Sequence, residues 1–268
     1  KTVTDNKVRL SVMAGLEGSG HHYLLASYMN MFKRNKTISI EATDCLGMTP
    51  YWTERSMVES PSAYTRNLER ATDTMRWLAT QGKTLSELGH ISALCHFISY
   101  PTDFGPQKVM QYLDLGLLAE VAEAGEVDLR VIYMKRSAHD IIVANTVHRN
   151  FQMTLGLDPA TVPGEQLFME YMRVILTDIA VVQPMLAELD PAFIVCHDYA
   201  RAGDQEQASN IANFVAPNSQ VAAMYEAALM NTWKLSSNQE EAIAIPNANV
   251  VVARLQRKLD TFEGVYCP

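Results

Sequence analysis

The sequence lacks the cysteine and histidine spacings that mark structural metal sites. Its four cysteines are Cys45, Cys95, Cys196 and Cys267, and none of them forms a CxxC pair. The seven histidines form no HExxH pattern or other ligand spacing, so we predict no structural metal. Cys95 and Cys196 lie in apolar runs typical of central strands, which favours buried free thiols at both positions.

Long apolar runs and an excess of basic residues are missing as well. No run approaches the length of a membrane span, and no signal peptide is visible, so we expect no membrane contact by this segment. The formal net charge of −8 argues against a general nucleic-acid-binding protein, and we predict no nucleic-acid partner. A local basic pocket for a small anion is still compatible with this charge.

Strand-like and helix-like segments alternate through most of the 268 residues. This order predicts one α/β domain over residues 1–268, with three layers and a central, mostly parallel sheet flanked by helices. The C-terminal part is predicted to be mostly helical. Strands are predicted at 8–12, 37–41, 91–98, 129–134 and 192–196, and helices at 60–80, 106–124, 137–151, 164–189 and 204–215, with a further helix running into 33–36.

The most informative stretch is the first strand and the glycines that follow it. Gly15, Gly18 and Gly20 lie between this strand and a helix, an order that can expose backbone N–H groups to an anion. The spacing from Gly15 to Gly20 matches a Walker A loop, but His21 and His22 replace its Lys and its Ser/Thr. We therefore expect a phosphate site without Mg-NTP chemistry, with an ordinary glycine turn as the alternative.

Polar residues follow several of the predicted strands. Glu41, His96, Arg136 and His197 all fall at or just past a predicted strand end. Because the carboxyl ends of parallel strands meet at one edge, we expect these side chains near the glycine turn.

Several segments in this order resemble the sulfotransferases that use 3′-phosphoadenosine 5′-phosphosulfate (PAPS). Residues 18–22 are similar to the family's 5′-phosphosulfate loop, and residues 131–144 to its 3′-phosphate segment. Residues 193–199, followed by 211–215, are similar to a later strand, turn and helix. The resemblance implies a P-loop-like nucleotide-binding fold.

The resemblance also implies an activity, which is transfer of a sulfonate group from PAPS to a hydroxyl of a carbohydrate or other small alcohol. The product nucleotide is adenosine 3′,5′-bisphosphate (PAP), and no metal is required. Arg136 is then expected at the 3′-phosphate. The sequence departs from the family at Gly18, which replaces a Lys or Arg, at Ala138, which replaces a Pro, and at Ala144, which replaces a Ser. The implied nucleotide-binding residues are Glu17, Gly18, Ser19, Gly20, His21, His22, Arg136, Ala144, Thr146, Arg254, Arg257 and Lys258.

Three residues are candidates for the catalytic roles. His96 and Glu41 compete as the general base, and His21 is a candidate replacement for the missing loop cation. Two other functions stay open, which are a divergent P-loop nucleotide kinase and a non-catalytic protein that binds phosphorylated nucleotides. The resemblance fits either a cytoplasmic protein or the trimmed luminal domain of a Golgi type II membrane protein, and it predicts no oligomeric state.

Overall fold

The structure is a computed structural model. It describes residues 9–16, 18–34, 76, 94–99, 102–103, 110–111, 115–147, 164–216, 219–235 and 248–267. The predicted strand at 37–41 lies outside these residues, as do most of the helix predicted at 60–80 and the candidate site residues Glu17 and Glu41.

Four parallel strands form the main sheet, in the order β2-β1-β5-β6. A separate antiparallel pair, β3 and β4, forms a second small sheet. The strands are β1 (Arg9–Gly15), β2 (Leu94–Ser99), β3 (Thr102–Asp103), β4 (Met110–Gln111), β5 (Asp128–Lys135) and β6 (Ile194–Asp198).

Seven α-helices of ten or more residues accompany the strands in the part of the chain that the structure describes. Three of them follow β6, and none of the seven is long and apolar enough to cross a membrane. They are α1 (His21–Arg34), α2 (Leu115–Ala124), α3 (Ala138–Val147), α4 (Gly164–Ala187), α5 (Gln205–Val215), α6 (Ser219–Leu235) and α7 (Ala248–Tyr266).

The helices pack on both faces of the main sheet, as expected for an α/β fold. On one face α1, α5 and α6 bury apolar side chains against Met13, Ile132 and Met134. On the other face α3, α4 and α7 share a core with Leu16. Alternate residues of β5 serve the two faces, because side chains alternate along a strand.

The chain leaves the two central strands in opposite directions. Helix α1 follows β1 on one face, whereas α3 follows β5 on the other. Adjacent parallel strands whose connections diverge leave a crevice at their carboxyl ends, and open α/β sheets bind ligands in such a crevice. The glycine turn follows the carboxyl end of β1, and Arg136 follows the carboxyl end of β5, so both lie at this crevice.

Local signals predicted several element boundaries well. Helix α2 ends at Ala124, immediately before Gly125. Asp204 caps α5, and its side chain accepts hydrogen bonds from Glu206 N at 2.8 Å and from Gln207 N at 3.5 Å. These boundaries are confirmed because caps act within a few residues of the chain.

Two placements differ from the prediction. The helix predicted at 106–124 begins only at Leu115, because Met110–Gln111 pairs with Thr102–Asp103. The Gly-Pro dipeptide before it marks a turn as readily as a helix start. The expectation that His96 ends its strand is wrong, since His96 pairs with Ser11 and β2 continues for three more residues.

The expectation of a free thiol at Cys196 is also wrong. Cys196 on β6 forms a disulfide with Cys267, which lies just beyond α7 and 71 residues further along the chain. Sequence spacing does not define connectivity, because the pairing depends on how distant segments meet. The side chain of Cys95 lies outside the described ones.

Candidate functional site

The glycine turn connects β1 to α1 within five residues. Gly18 has φ 83° and Gly20 has φ 112°, backbone conformations that residues other than glycine rarely adopt. Ser19 N donates to Leu16 O at 3.0 Å, and Tyr23 N donates to Gly20 O at 2.9 Å. The turn is therefore held by its own backbone.

Close neighbours also require glycine on both sides of this turn. A Cβ atom on Gly15 would lie 2.7 Å from Ser19 Oγ and 3.0 Å from Met134 Cβ. A Cβ atom on Gly20 would lie 2.5 Å from Cδ2 of Tyr199. The ring of Tyr199, delivered by the end of β6, thus lies directly against the backbone of the turn.

Ser19 has a polar atom that the described residues leave unsatisfied. The residue is 0% exposed, and its Oγ has no hydrogen-bond partner among them. The hydroxyl oxygen lies beside Gly15, 2.7 Å from the position that a Cβ atom on that residue would take. A buried polar atom without a partner costs free energy, so its presence favours a ligand-binding role for the turn.

Arg136 reaches the same turn from the end of β5. Its Nη1 donates to Gly18 O at 2.7 Å, and its Cζ lies 4.4 Å from the centre of the Tyr199 ring. The Nε atom is buried and has no hydrogen-bond partner among the described residues. The structure therefore brings together Arg136, Ser19 and the two glycines, as the sequence predicted for this edge.

The first turn of α3 is already capped by side chains. Ser137 Oγ accepts from Asp140 N at 3.1 Å and caps the helix at its predicted start. Gln256 Oε1, from α7, accepts from Ala138 N at 2.7 Å. Two backbone donors at this helix start are thus used within the protein.

The remaining candidate residues on α3 and α7 are placed less directly. Ala144 is buried, and its side chain has no polar atom. Thr146 lies on α3, but its side chain is outside the described ones. The other three, exposed on α7, are Arg254, Arg257 and Lys258. The side chains of His21 and His22 are also outside the described ones, although His21 begins α1.

His197 is a buried histidine within β6, one residue before the end of the strand. His197 is 2% exposed, and Gln207 Nε2 lies 2.9 Å from its Nδ1. Burial lowers the pKa of His197 to about 4, so the ring is neutral at ordinary pH. Its Nε2 has no partner among the described residues, and its ring lies 5.6 Å from that of Tyr23.

A buried carboxyl group lies on the other face of the same edge. Glu263 of α7 is 2% exposed, and its Oε1 accepts a long hydrogen bond from Tyr133 Oη at 3.4 Å. Burial raises the pKa of Glu263 to about 7, while the charge of Lys135 opposes this shift. Its Oε2 has no partner among the described residues.

Sequence reasoning missed Tyr199 and Glu263 as members of this region. Tyr199 carries no local signal, because its role depends on a contact with Gly20 far along the chain. Glu263 did carry one, since it follows the core residues Leu255 and Leu259 at helical spacing. A carboxyl group on such an apolar stripe indicates a buried acid.

The fold and the site together define an α/β protein with a glycine turn and a guanidinium group at the crevice of its sheet. Family models, curated proteins and solved structures provide no match for this chain. Across the described residues, no group of three or more His, Cys, Asp or Glu side chains is arranged to hold a metal ion.

Proposed function

We propose that this protein is a sulfotransferase that moves a sulfonate group from PAPS to a hydroxyl of a carbohydrate or other small alcohol. The observation that supports it is the contact between Arg136 and the glycine turn, at the N-terminus of α1. A helix N-terminus and a guanidinium group both stabilise phosphate oxygens. The P-loop-like character of the fold is part of this proposal.

The proposed reaction needs positioning and charge more than covalent help from the protein. The bond between sulfur and the 5′-phosphate oxygen breaks as the acceptor oxygen bonds to sulfur, and the leaving oxygen keeps the electron pair. The acceptor's proton goes to a general base. By analogy with phosphoryl transfer, the protein's contribution is to fix both groups in line and stabilise developing charge.

The positions of two candidate bases, His96 and His21, along the backbone favour one of them. His96 lies three residues before the end of β2, which is about 10 Å along a strand. His21 begins α1 directly after Gly20, at the turn itself. We therefore propose His21 ahead of His96 as the proton acceptor, and Glu41 stays a prediction.

A second candidate is a protein that binds phosphorylated nucleotides without turning them over. Gly18 supports this alternative, because related loops carry a cation there that contacts the transferring group. Turnover separates the two. In the proposed enzyme, sulfur-labelled PAPS transfers its label to a panel of sugars and alcohols. A non-catalytic protein binds PAP and leaves the label on the nucleotide.

Binding of PAP tests the site before any turnover is measured. We expect PAP at about 100 times its Kd to stabilise the protein by about 2.7 kcal/mol, and expect no such effect from ATP with Mg²⁺. Gly20→Ala forces a side chain into the space of Tyr199, so it is expected to weaken PAP at least about tenfold. Urea unfolding with and without each nucleotide measures the stabilisation, and isothermal titration calorimetry measures the affinity of the variant for PAP.

The chain offers a matched control for this variant. A Cβ atom added to Gly264 meets nothing within 4 Å, so Gly264→Ala is expected to bind PAP as the wild type does. Stronger stabilisation by ATP with Mg²⁺ than by PAP favours the nucleotide kinase. Unchanged PAP binding by Gly20→Ala removes the turn from the site.

A further inference from the structure

The guanidinium of Arg136 lies on the glycine turn, although the family resemblance assigns this residue to the 3′-phosphate. We propose, building on the proposed function, that Arg136 replaces the loop cation missing at Gly18 and binds the 5′-phosphate end of the nucleotide. Tyr199 is its positioning residue. The family's 5′ cation would then have moved from the loop to the end of the neighbouring strand.

The contacts of Arg136 place its charge beside the turn. One of its five N–H donors binds Gly18 O at 2.7 Å, and its buried Nε has no partner among the described residues. The hydroxyl of Ser19, wholly buried and also without a described partner, lies inside the same turn. Two unsatisfied polar atoms from separate elements thus occur where a 5′-phosphate would bind.

Tyr199 holds the guanidinium in this position. Its ring contacts Arg136 on its face and lies against Gly20. Edge-on contacts with Tyr23 and Trp233, at centroid distances of 6.0 and 5.5 Å, fix the ring from behind. Because Asp198 caps the short 3₁₀ helix that begins at Tyr199, the backbone there is fixed as well.

The N-terminus of α3, where the resemblance would place the 3′-phosphate, is less available. Ala138 N is bound by Gln256 and Asp140 N by Ser137. An anion there would have to displace these partners. The glycine turn, by contrast, combines a cation with a buried hydroxyl that has no described partner.

Two adenosine monophosphates test separately which phosphate of the nucleotide Arg136 binds. Adenosine 5′-monophosphate carries only the 5′ group, and adenosine 3′-monophosphate carries only the 3′ group. We expect Arg136→Ala to weaken PAP and the 5′-monophosphate by a similar factor, roughly ten- to hundredfold, as for a lost charge-assisted hydrogen bond. Binding of the 3′-monophosphate is expected to stay within about twofold of the wild type. Calorimetric titration of the full chain gives all three affinities.

Arg130 is the matched control, since it lies on the same strand and also covers a ring, that of Phe214, at 4.9 Å. It is near the opposite end of β5, so Arg130→Ala is expected to leave all three affinities unchanged. Tyr199→Leu, which removes the ring, is expected to weaken the 5′-monophosphate about three- to tenfold. Tyr199→Phe keeps the ring and is expected to bind normally.

The outcomes that overturn this inference are distinct from those that overturn the proposed function. Loss of 3′-monophosphate and PAP binding in Arg136→Ala, with the 5′-monophosphate unchanged, returns Arg136 to the 3′ end and leaves the proposed function standing. A wild-type protein that binds none of the three nucleotides ends both. If Arg136→Ala does not fold, Arg136→Lys and the Tyr199 pair decide the question by the same ligand selectivity.

Discussion

The amino edge and the carboxyl edge of the parallel sheet differ in how their buried polar groups are satisfied. At the amino edge, Arg9 Nε lies 3.0 Å from Asp128 Oδ2, and its Nη1 donates to Phe214 O at 3.2 Å and to Ala216 O. Arg130 shares the same carboxylate at 2.9 Å. At the carboxyl edge, four side chains keep a buried polar atom without a hydrogen-bond partner among the described residues: Ser19, Arg136, His197 and Glu263. In the amino half of β1, Ser11 Oγ is also buried without such a partner.

This difference separates stability from function along the strands. Paired groups at the amino edge tie β1 and β5 to the end of α5, so they stabilise the fold. Unpaired groups at the carboxyl edge cost stability unless a ligand satisfies them. Buried polar groups without hydrogen-bond partners occur chiefly at functional sites, which is why we place the site at this edge.

Replacement of Arg9 is expected to have the largest effect on the free energy of unfolding, and it tests the role of the amino edge. Arg9→Met leaves Asp128 with one cation instead of two and leaves the carbonyls at the end of α5 without their donor. We expect the free energy of unfolding to fall by about 3 to 5 kcal/mol, because several buried acceptors lose a charged donor at once while Arg130 still pairs with Asp128. Urea unfolding measures the change, and PAP affinity of the folded fraction is expected to stay unchanged.

An exposed pair provides the control for Arg9. Arg201 Nη2 lies 2.6 Å from Asp204 Oδ2 at the surface, where solvent screens the pair, so Arg201→Met is expected to leave the free energy of unfolding almost unchanged. Equal losses in the two variants would mean that the amino edge contributes no special stability. A change in PAP affinity in Arg9→Met would mean that the two edges are not separate.

The second test concerns the disulfide at the carboxyl edge. Cys196 and Cys267 close a loop of 71 residues, for which chain entropy predicts roughly 4 kcal/mol. We expect the double variant Cys196→Ala, Cys267→Ala to lose roughly 2 to 4 kcal/mol by urea unfolding. Because Tyr199 follows Cys196 by three residues, we also expect weaker PAP binding, unlike in Arg9→Met. Normal PAP affinity in the double variant would show that the disulfide stabilises the fold without ordering the site.

Much of the fold could be predicted from the sequence because its signals are local. Alternating apolar residues marked β1, a stretch rich in apolar residues marked β5, and Asp204 marked the start of α5. The meeting of the glycine turn and Arg136 followed from one rule, that parallel strands end at one edge. These inferences needed only a few neighbouring residues and the strand order.

The rest of the site depends on contacts between distant residues. Tyr199 meets Gly20, Glu263 meets Tyr133, and Cys196 meets the C-terminal segment, each across more than 70 positions of the chain. No local pattern specifies such pairs. The end of β2 could not be predicted from local pattern either. The strand continues for three residues after His96, so His96 lies inside the sheet.

Two buried titratable groups at the carboxyl edge act on stability in opposite directions. The pKa of His197 is lowered from 6.5 to about 4, so its contribution is complete above pH 6.5 and is lost as the pH falls toward 4. The pKa of Glu263 is raised from 4.5 to about 7, so its contribution is complete below pH 4.5 and is lost as the pH rises through 7. Between pH 4.5 and 6.5 the two effects oppose each other.

The smallest test removes one of these opposing groups. Glu263→Gln keeps an acceptor for Tyr133 but cannot ionise, so it removes a burial cost of about 3 kcal/mol above pH 7. The raised pKa already combines burial with the attraction of Lys135 and the repulsion of Asp198 and Asp260, so we expect a net gain of at most about 3 kcal/mol at pH 8 and no gain at pH 4.5.

Urea unfolding of Glu263→Gln between pH 4 and pH 8 should show stability rising up to pH 6.5, because His197 is then unopposed. Glu123→Gln, at an exposed site on α2, should follow the wild-type profile. Parallel profiles for Glu263→Gln and the wild type would mean that Glu263 is already satisfied. The carboxyl edge would then resemble the amino edge more closely than its unpaired atoms indicate.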